Sequence, residues 1–105
     1  MQELLELQKE LDGEISKHFD DPSILQIATA LSVEASELID ACGLKYWKKN
    51  PQKSREEIIE EGIDVLHFLL SFFNHLGLNE DEIKRAYKSK RDVNFKRLRI
   101  EDSQA

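Results

Sequence analysis

The chain has 105 residues, 40% hydrophobic and 34% charged, with four Gly and two Pro, a composition that suits one compact domain and excludes disorder and collagen-like repeats. Its 21 acidic against 15 basic residues give a formal charge of −6, which argues against a general binder of phosphate backbones and leaves only a local basic patch for anions. One Cys excludes an internal disulfide, no N-terminal apolar segment resembles a leader, and no run reaches the ~18 apolar residues of a membrane span, so a soluble cytoplasmic protein is expected.

Residues 2–18 place Leu4, Leu7, Leu11 and Ile15 at three- and four-residue steps, one apolar stripe on a charged segment, which predicts a first helix. Asp20, Asp21, Pro22 and Ser23 then combine cap candidates with a first-turn proline, and Gly43 stands where a helix would stop. A second helix is therefore expected over 22–42. Its apolar residues, among them Ile24, Ile27, Leu31, Val33 and Leu38, cover more than one face, which predicts burial on several sides. Residues 44–53 form a linker with Lys45, Lys48, Lys49, Tyr46, Trp47 and Pro51, the kind of loop that often carries contacts.

Ser54 followed by Glu57 has capping-box spacing and Gly77 is the next stop, so a third helix is expected over 55–76, with Ile59, Ile63, Leu66, Leu70 and Phe73 as its core stripe. Asn79 with Glu82 repeats the capping pattern and opens a fourth helix carrying Ile83, Ala86, Tyr87 and Val93. This helix is expected to fade after about Arg99 into a disordered polar tail, leaving one domain over 1–99 and a tail over 100–105. No alternating β-branched run or hairpin signal is present, so the fold class is all-α, a four-helix bundle. Two helices apolar on more than one side cannot be covered by two amphipathic partners in so small a chain, so at least a dimer is expected to complete the core.

Glu34 and Glu37 lie three apart on one face of the second helix, inside its most apolar stretch, and Glu61 and Asp64 repeat the pattern on the third. Carboxylates placed there cost several kcal/mol if unpaired, on the order of a broken buried ion pair, and so call for compensation. Antiparallel packing of the two helices would bring all four onto one volume, and hard oxygen donors in that number suit Mg²⁺. Either pair alone is a common feature of a solvated helix face. Both pairs in apolar helices joined by a basic linker favour a metal site.

Three smaller signals accompany it. Trp47, flanked by Lys45 and Lys48, has the chemistry to stack on a base while the lysines meet phosphates, and equally that of an interface residue. Lys90, Asn94 and Arg97 recur at helical spacing beside Tyr87, giving one face of phosphate-directed donors whose plainer reading is a solvated basic face. His67 follows Asp64 by three residues but reads as a hydrogen-bonded core His, and Cys42 as a small core residue.

These motifs, in this order, resemble the all-α nucleoside triphosphate pyrophosphohydrolases of the MazG-like superfamily, and within it the dimeric dUTPases. Glu34-Ala35-Ser36-Glu37, Glu61-Gly62-Ile63-Asp64, Leu44-Lys45-Tyr46-Trp47-Lys48, the run from Asp64 to Ser71, and Ala86-Tyr87 with Lys90, Asn94 and Arg97 are similar to segments flanking that family's active site. Leu7-Gln8 with Leu11 is similar to its base-contacting segment. The resemblance implies Mg²⁺-dependent cleavage of a nucleotide between its α- and β-phosphates, releasing a monophosphate and pyrophosphate, with Mn²⁺ able to replace Mg²⁺. It implies that Glu34, Glu37, Glu61 and Asp64 hold metal, and that Glu37 or Glu34 orients or deprotonates the attacking water. It also implies that Lys90, Asn94 and Arg97 bind the phosphate tail, Trp47 flanks the base and Gln8 reaches its polar edge, with Asp12, Lys45, Lys48 and Tyr87 completing the substrate-binding set.

The chain is much shorter than the dimeric dUTPases, so elements supplied there by one chain are expected from a second subunit, in a homodimer or dimer of dimers. It also has Asp12 where uracil-reading members place Asn. An ionised Asp only accepts hydrogen bonds, which suits the amino group of cytosine better than the carbonyls of uracil and leaves the substrate between dUTP and dCTP. Two other classes remain open at this point. A di-iron carboxylate bundle would want Glu-x-x-His on two helices, and only Asp64 with His67 comes near. A non-catalytic helical adaptor or dimerisation module would explain the apolar stripes but not four carboxylates in apolar helices.

Overall fold

The computed structural model describes the backbone of residues 1–104 and the side chains of residues 1–100. It contains four helices, α1 (Gln2–Ile15), α2 (Ile24–Ala41), α3 (Arg55–His75) and α4 (Glu80–Gln104), and no strand among the described residues. None of the helices is long and apolar enough to cross a membrane. The all-α expectation therefore holds.

Local chemistry sets the ends. The first helix stops at Ile15, short of the expected 18, because the Ser16 hydroxyl donates back to the Gly13 carbonyl and the chain tightens into a turn over the next three residues. α2 begins after Pro22 instead of on it: Ser23 is the N-cap, its hydroxyl accepting from the Gln26 amide while the Gln26 side chain accepts from Ser23 N. Ser54 caps α3 through Glu57 N, and Asn79 with Glu82 forms the expected box at the start of α4. α4 does not stop near Arg99 but stays helical to Gln104. The disordered tail expected over 100–105 thus meets helical backbone up to that point, while Ala105 lies outside the described residues.

α2 and α3 pack antiparallel. The Lys53 amide donates to the Ala41 carbonyl at 2.9 Å, a single antiparallel bridge joins Cys42 to Gln52, and Ile27 lies at the far end beside Phe68 and Ser71. The linker can close this way because Gly43 has φ +101°, a conformation that strains any side chain, and a Cβ there would stand 3.5 Å from that of Gln52. α1 also runs antiparallel to α3: Ser71 donates to Asp12 at 2.8 Å and Asn74 to the Leu5 carbonyl at 2.9 Å.

The core of the single chain is small. Leu5, Ile27, Ala41 and Leu70 are buried, and Gln8 with them. Burial of α2 on several sides is not met within one chain, since Leu25, Val33 and Ile39 remain exposed. The α3 stripe is likewise incomplete: Leu70 is buried and Leu66 and Phe73 half-buried, but Ile59 and Ile63 are exposed. Tyr87 and Val93 on α4 are exposed too, and so is Cys42, which is not the core residue expected. The reason is one of layers: α2 packs on α3 and α1 on α3, while α4 packs extensively on neither pair among the described residues. The radius of gyration, 17.6 Å, exceeds the ~13 Å of a compact chain of this length.

Candidate functional site

The antiparallel register places the second turn of α3 opposite the middle of α2. Carboxylate oxygens of Glu34, Glu61 and Asp64 there all lie within 4.8 Å of one another. Glu34 and Glu61 are half-buried and Asp64 is exposed, so the cluster has a sheltered floor and an open side. Glu61 Oε2 is buried with no hydrogen-bond partner, a costly state for a carboxylate oxygen unless a cation meets it. Glu37, one turn after Glu34, lines an adjoining open hollow of about 540 Å³ with Glu61, Asp40, Lys45 and Lys53.

The electrostatics reflect this crowding. Loss of solvation raises the Glu34 pKa above the ordinary carboxylate range, reinforced by a hydrogen bond and charge from Glu37 and then by the charges of Asp64 and Glu61. Glu61 is raised by loss of solvation first, then by the charges of Glu37, Asp64 and Glu60, with Lys53 opposing. Like charges so close either share protons or bind a cation. Three hard oxygen donors with an open side fit a divalent ion that keeps further positions for water and phosphate oxygens. His67 is not among the side chains that converge here.

The remaining sequence-selected residues fall into three places. Gln8 and Asp12 form a polar layer between α1 and α3: Gln8 is only 5% exposed and its Nε2 donates to Asp12 Oδ1 at 2.9 Å, while Ser71 Oγ donates to Asp12 Oδ2. Asp12 opens onto a cavity of about 440 Å³ lined also by Phe68, Ser71, Asn74 and His75. Along either helix the cavity and the carboxylates are about 10 Å apart, two turns from Ile27 to Glu34 on α2 and from Asp64 to Ser71 on α3. Lys45, Trp47 and Lys48 sit on the linker, where Lys45 pairs with Asp40 at 3.5 Å and the exposed Trp47 ring meets Tyr46 edge to face. Tyr87, Lys90 and Asn94 line a shallow groove of α4 beside Arg91, whose guanidinium stacks over Phe95 at 4.4 Å. Arg97 is exposed on the same helix, and none of the α4 residues joins the carboxylate cluster.

Sequence reading passed over Lys53, Ser71 and Asn74. Lys53 carried no periodic signal, and only closure of the linker returns it to the carboxylates. Ser71 meets Asp12 across 59 residues, a distance no local pattern reports. Asn74, whose Nδ2 donates to the Leu5 carbonyl, keeps a buried Oδ1 without a partner.

A family model described as dUTPase matches residues 1–79 of the chain, which contain α1 to α3 and both acidic pairs and stop short of α4. No curated protein and no solved structure matches the chain. With 79 of 105 residues inside the match and an all-helical architecture under it, the chain belongs to the dUTPase family of all-α, MazG-like nucleotide hydrolases.

Proposed function

We propose that the protein is a Mg²⁺-dependent nucleoside triphosphate pyrophosphohydrolase that converts dUTP or dCTP to the monophosphate and pyrophosphate. The observation that carries this reading is the convergence of Glu34, Glu61 and Asp64, with a buried unpartnered oxygen on Glu61, in a chain of the dUTPase family. Glu34, Glu61 and Asp64, with Glu37 beside them, would hold the ion. Bound there, Mg²⁺ or Mn²⁺ supplies charge neutralisation and polarisation of the phosphate oxygens.

The protein side of the reaction is assigned to groups of the chain as follows. Glu37 or Glu34 orients a water against the α-phosphorus and accepts its proton; the new P–O bond forms as the bond to the bridging oxygen breaks, and pyrophosphate leaves. The raised pKa of Glu34 makes it a better base than an ordinary glutamate. The ~10 Å between the carboxylates and the cavity suits a nucleoside whose base lies by Phe68 and Asp12 and whose phosphates reach the metal. Asp12 and Gln8 then read the base edge, Trp47 flanks the nucleotide, and Lys45, Lys48, Tyr87, Lys90, Asn94 and Arg97 meet the phosphate tail. A homodimer or a dimer of dimers in the cytoplasm belongs to the same proposal.

The test is pyrophosphate release from dUTP, dCTP, the other dNTPs and the ribonucleotides, with Mg²⁺ and with EDTA, beside the Glu61→Gln variant. Selective Mg²⁺-dependent turnover that vanishes in the variant is the expected result. A folded protein that turns over no nucleotide overturns the reading and leaves a helical dimerisation module.

A further inference from the structure

We propose that the cavity beside α1 is an acceptor-rich pocket for the amino-bearing edge of a pyrimidine, so that cytosine nucleotides are preferred over uracil ones, and that Gln8 and Ser71 are positioning residues that hold Asp12 for this task. The inference rests on the nucleotide reading above and decides between the two substrates left open there. Asp12 alone does not decide them, because hydroxyls and amides around it could supply the donors that the carbonyls of uracil need. The hydrogen bonds of the cavity wall show where those donors go.

They go to the protein itself. Ser71 Oγ donates to Asp12 Oδ2 at 2.8 Å and Ser16 Oγ to the Gly13 carbonyl at 2.9 Å, so each hydroxyl has spent its one proton and offers the cavity only lone pairs. The Asn74 amide nitrogen is engaged by the Leu5 carbonyl at 2.9 Å, and its Oδ1 is a buried acceptor without a partner. Asp12, Asp20 and Asp21 bring three carboxylates to the same lining. Beyond the second N–H of Asn74, the side-chain donors left to the cavity belong to Lys9 and His75, both exposed.

Asp12 is the half-buried member of the three carboxylates and is held from both sides, Gln8 Nε2 donating to Oδ1 at 2.9 Å and Ser71 to Oδ2. These bonds take one lone pair on each oxygen and leave another on each for a ligand. Gln8 is 5% exposed and does not line the cavity, so it serves the base edge by holding Asp12 and not by touching the base. For packing alone the arrangement is costly: α1 turns Gln8 and Asp12 toward α3 while its Leu4, Leu7 and Leu11 stay 42%, 50% and 42% exposed. The 4-amino group of cytosine brings donors to this wall, whereas uracil has a carbonyl at that ring position, whose lone pairs would face those of Asp12 and Ser71. A site built to meet a donor rejects the analogue that lacks it more strongly than an apolar pocket does.

The test needs no turnover. dCMP and dUMP are titrated into the full chain and followed by ¹H–¹⁵N NMR, whose amide spectrum also reports whether each variant is folded. dCMP is expected to bind about 10-fold more tightly than dUMP, the worth of one good base contact. Asp12→Asn, which offers a donor beside an acceptor, should close that gap. Ser71→Ala should narrow it and Ser71→Thr, which keeps the hydroxyl, should restore it; a hydroxyl that only holds structure would weaken both nucleotides alike and leave their ratio unmoved. Gln8→Met should narrow the ratio in the wild-type background and leave it unchanged in Asp12→Asn, because Gln8 acts through Asp12. Equal binding, or tighter binding of dUMP, overturns the inference and leaves the nucleotide reading standing. Failure of the folded wild-type chain to bind either nucleotide overturns the nucleotide reading, and this inference with it.

Discussion

The α2–α3 pair and α4 treat charge in opposite ways. In the pair, apolar packing comes first and forces Glu34 and Glu61 into partial burial, where loss of solvation and then neighbouring carboxylates raise both pKa values and one oxygen of Glu61 has no partner. In α4, charge sits on a helix whose apolar residues Tyr87, Val93, Phe95 and Leu98 are exposed, and Lys90 and Arg97 are exposed with them. The pair is thus a strained acceptor for cations, and α4 an idle donor of them. Stability and function should therefore separate cleanly between the two regions, and each measurement below tries to break that separation.

The largest effect is expected at Glu61. Glu61→Gln should lower turnover on the order of 10²–10³-fold, as loss of a charge-stabilising group does, yet leave the metal-free protein at least as stable, because a half-buried repelling charge is gone. Thermal melts with EDTA beside activity assays check both; a destabilised variant would mean that Glu61 is a structural partner rather than a ligand. Leu70, 3% exposed, is the packing counterpart. Leu70→Ala should cost about 2–5 kcal/mol by chemical denaturation, whatever the metal.

Mg²⁺ should stabilise the wild-type chain by about 2.7 kcal/mol at a hundredfold excess over its Kd and should leave Glu61→Gln unmoved. Equal shifts in both proteins would place the ion elsewhere. On α4, Lys90→Ala or Arg97→Ala should raise KM by roughly 10-fold, the worth of one charge-assisted hydrogen bond, while changing chain stability by less than ~0.5 kcal/mol. A lowered melting temperature instead would show that these side chains hold structure.

The smallest effect is in pH. Glu34 and Glu61 have folded pKa values raised above their unfolded ones, so the folded chain binds protons more tightly than the unfolded chain. Their contribution to stability is full below the ordinary carboxylate pKa of about 4.3 and is lost as pH rises through the raised values. The metal-free protein should therefore melt higher at mildly acidic pH, and Mg²⁺, which needs the ionised form, should reverse that slope. A flat profile without metal would show that the carboxylates are solvated and apart.

Much of this was legible in the residues themselves. Ser54 and Asn79 announce helix starts because a hydroxyl or amide oxygen at that position meets a free backbone amide, a purely local bond, whereas the start of α2 falls one residue past the expected proline, on Ser23. Glu34 with Glu37, and Glu61 with Asp64, announce paired carboxylates because residues three apart share a helix face. The Asp12–Ser71 bond, the return of Lys53 and the orphaned oxygen of Asn74 had no local signal, since each depends on chain segments that meet only after α1, α2 and α3 pack.

The sequence by itself determined the all-α class, the cap sites of α3 and α4 and the two acidic pairs, all set by interactions within about one helical turn. Only the tertiary structure decided that Glu34, Glu61 and Asp64 share a volume under 5 Å across, because that depends on the register of α2 against α3. It alone decided, too, that α4 packs extensively on neither pair among the described residues and leaves Tyr87, Val93, Phe95 and Leu98 exposed beside its basic residues. The periodicity of a helix tells which side chains share a face, and it is packing that chooses what, if anything, that face meets.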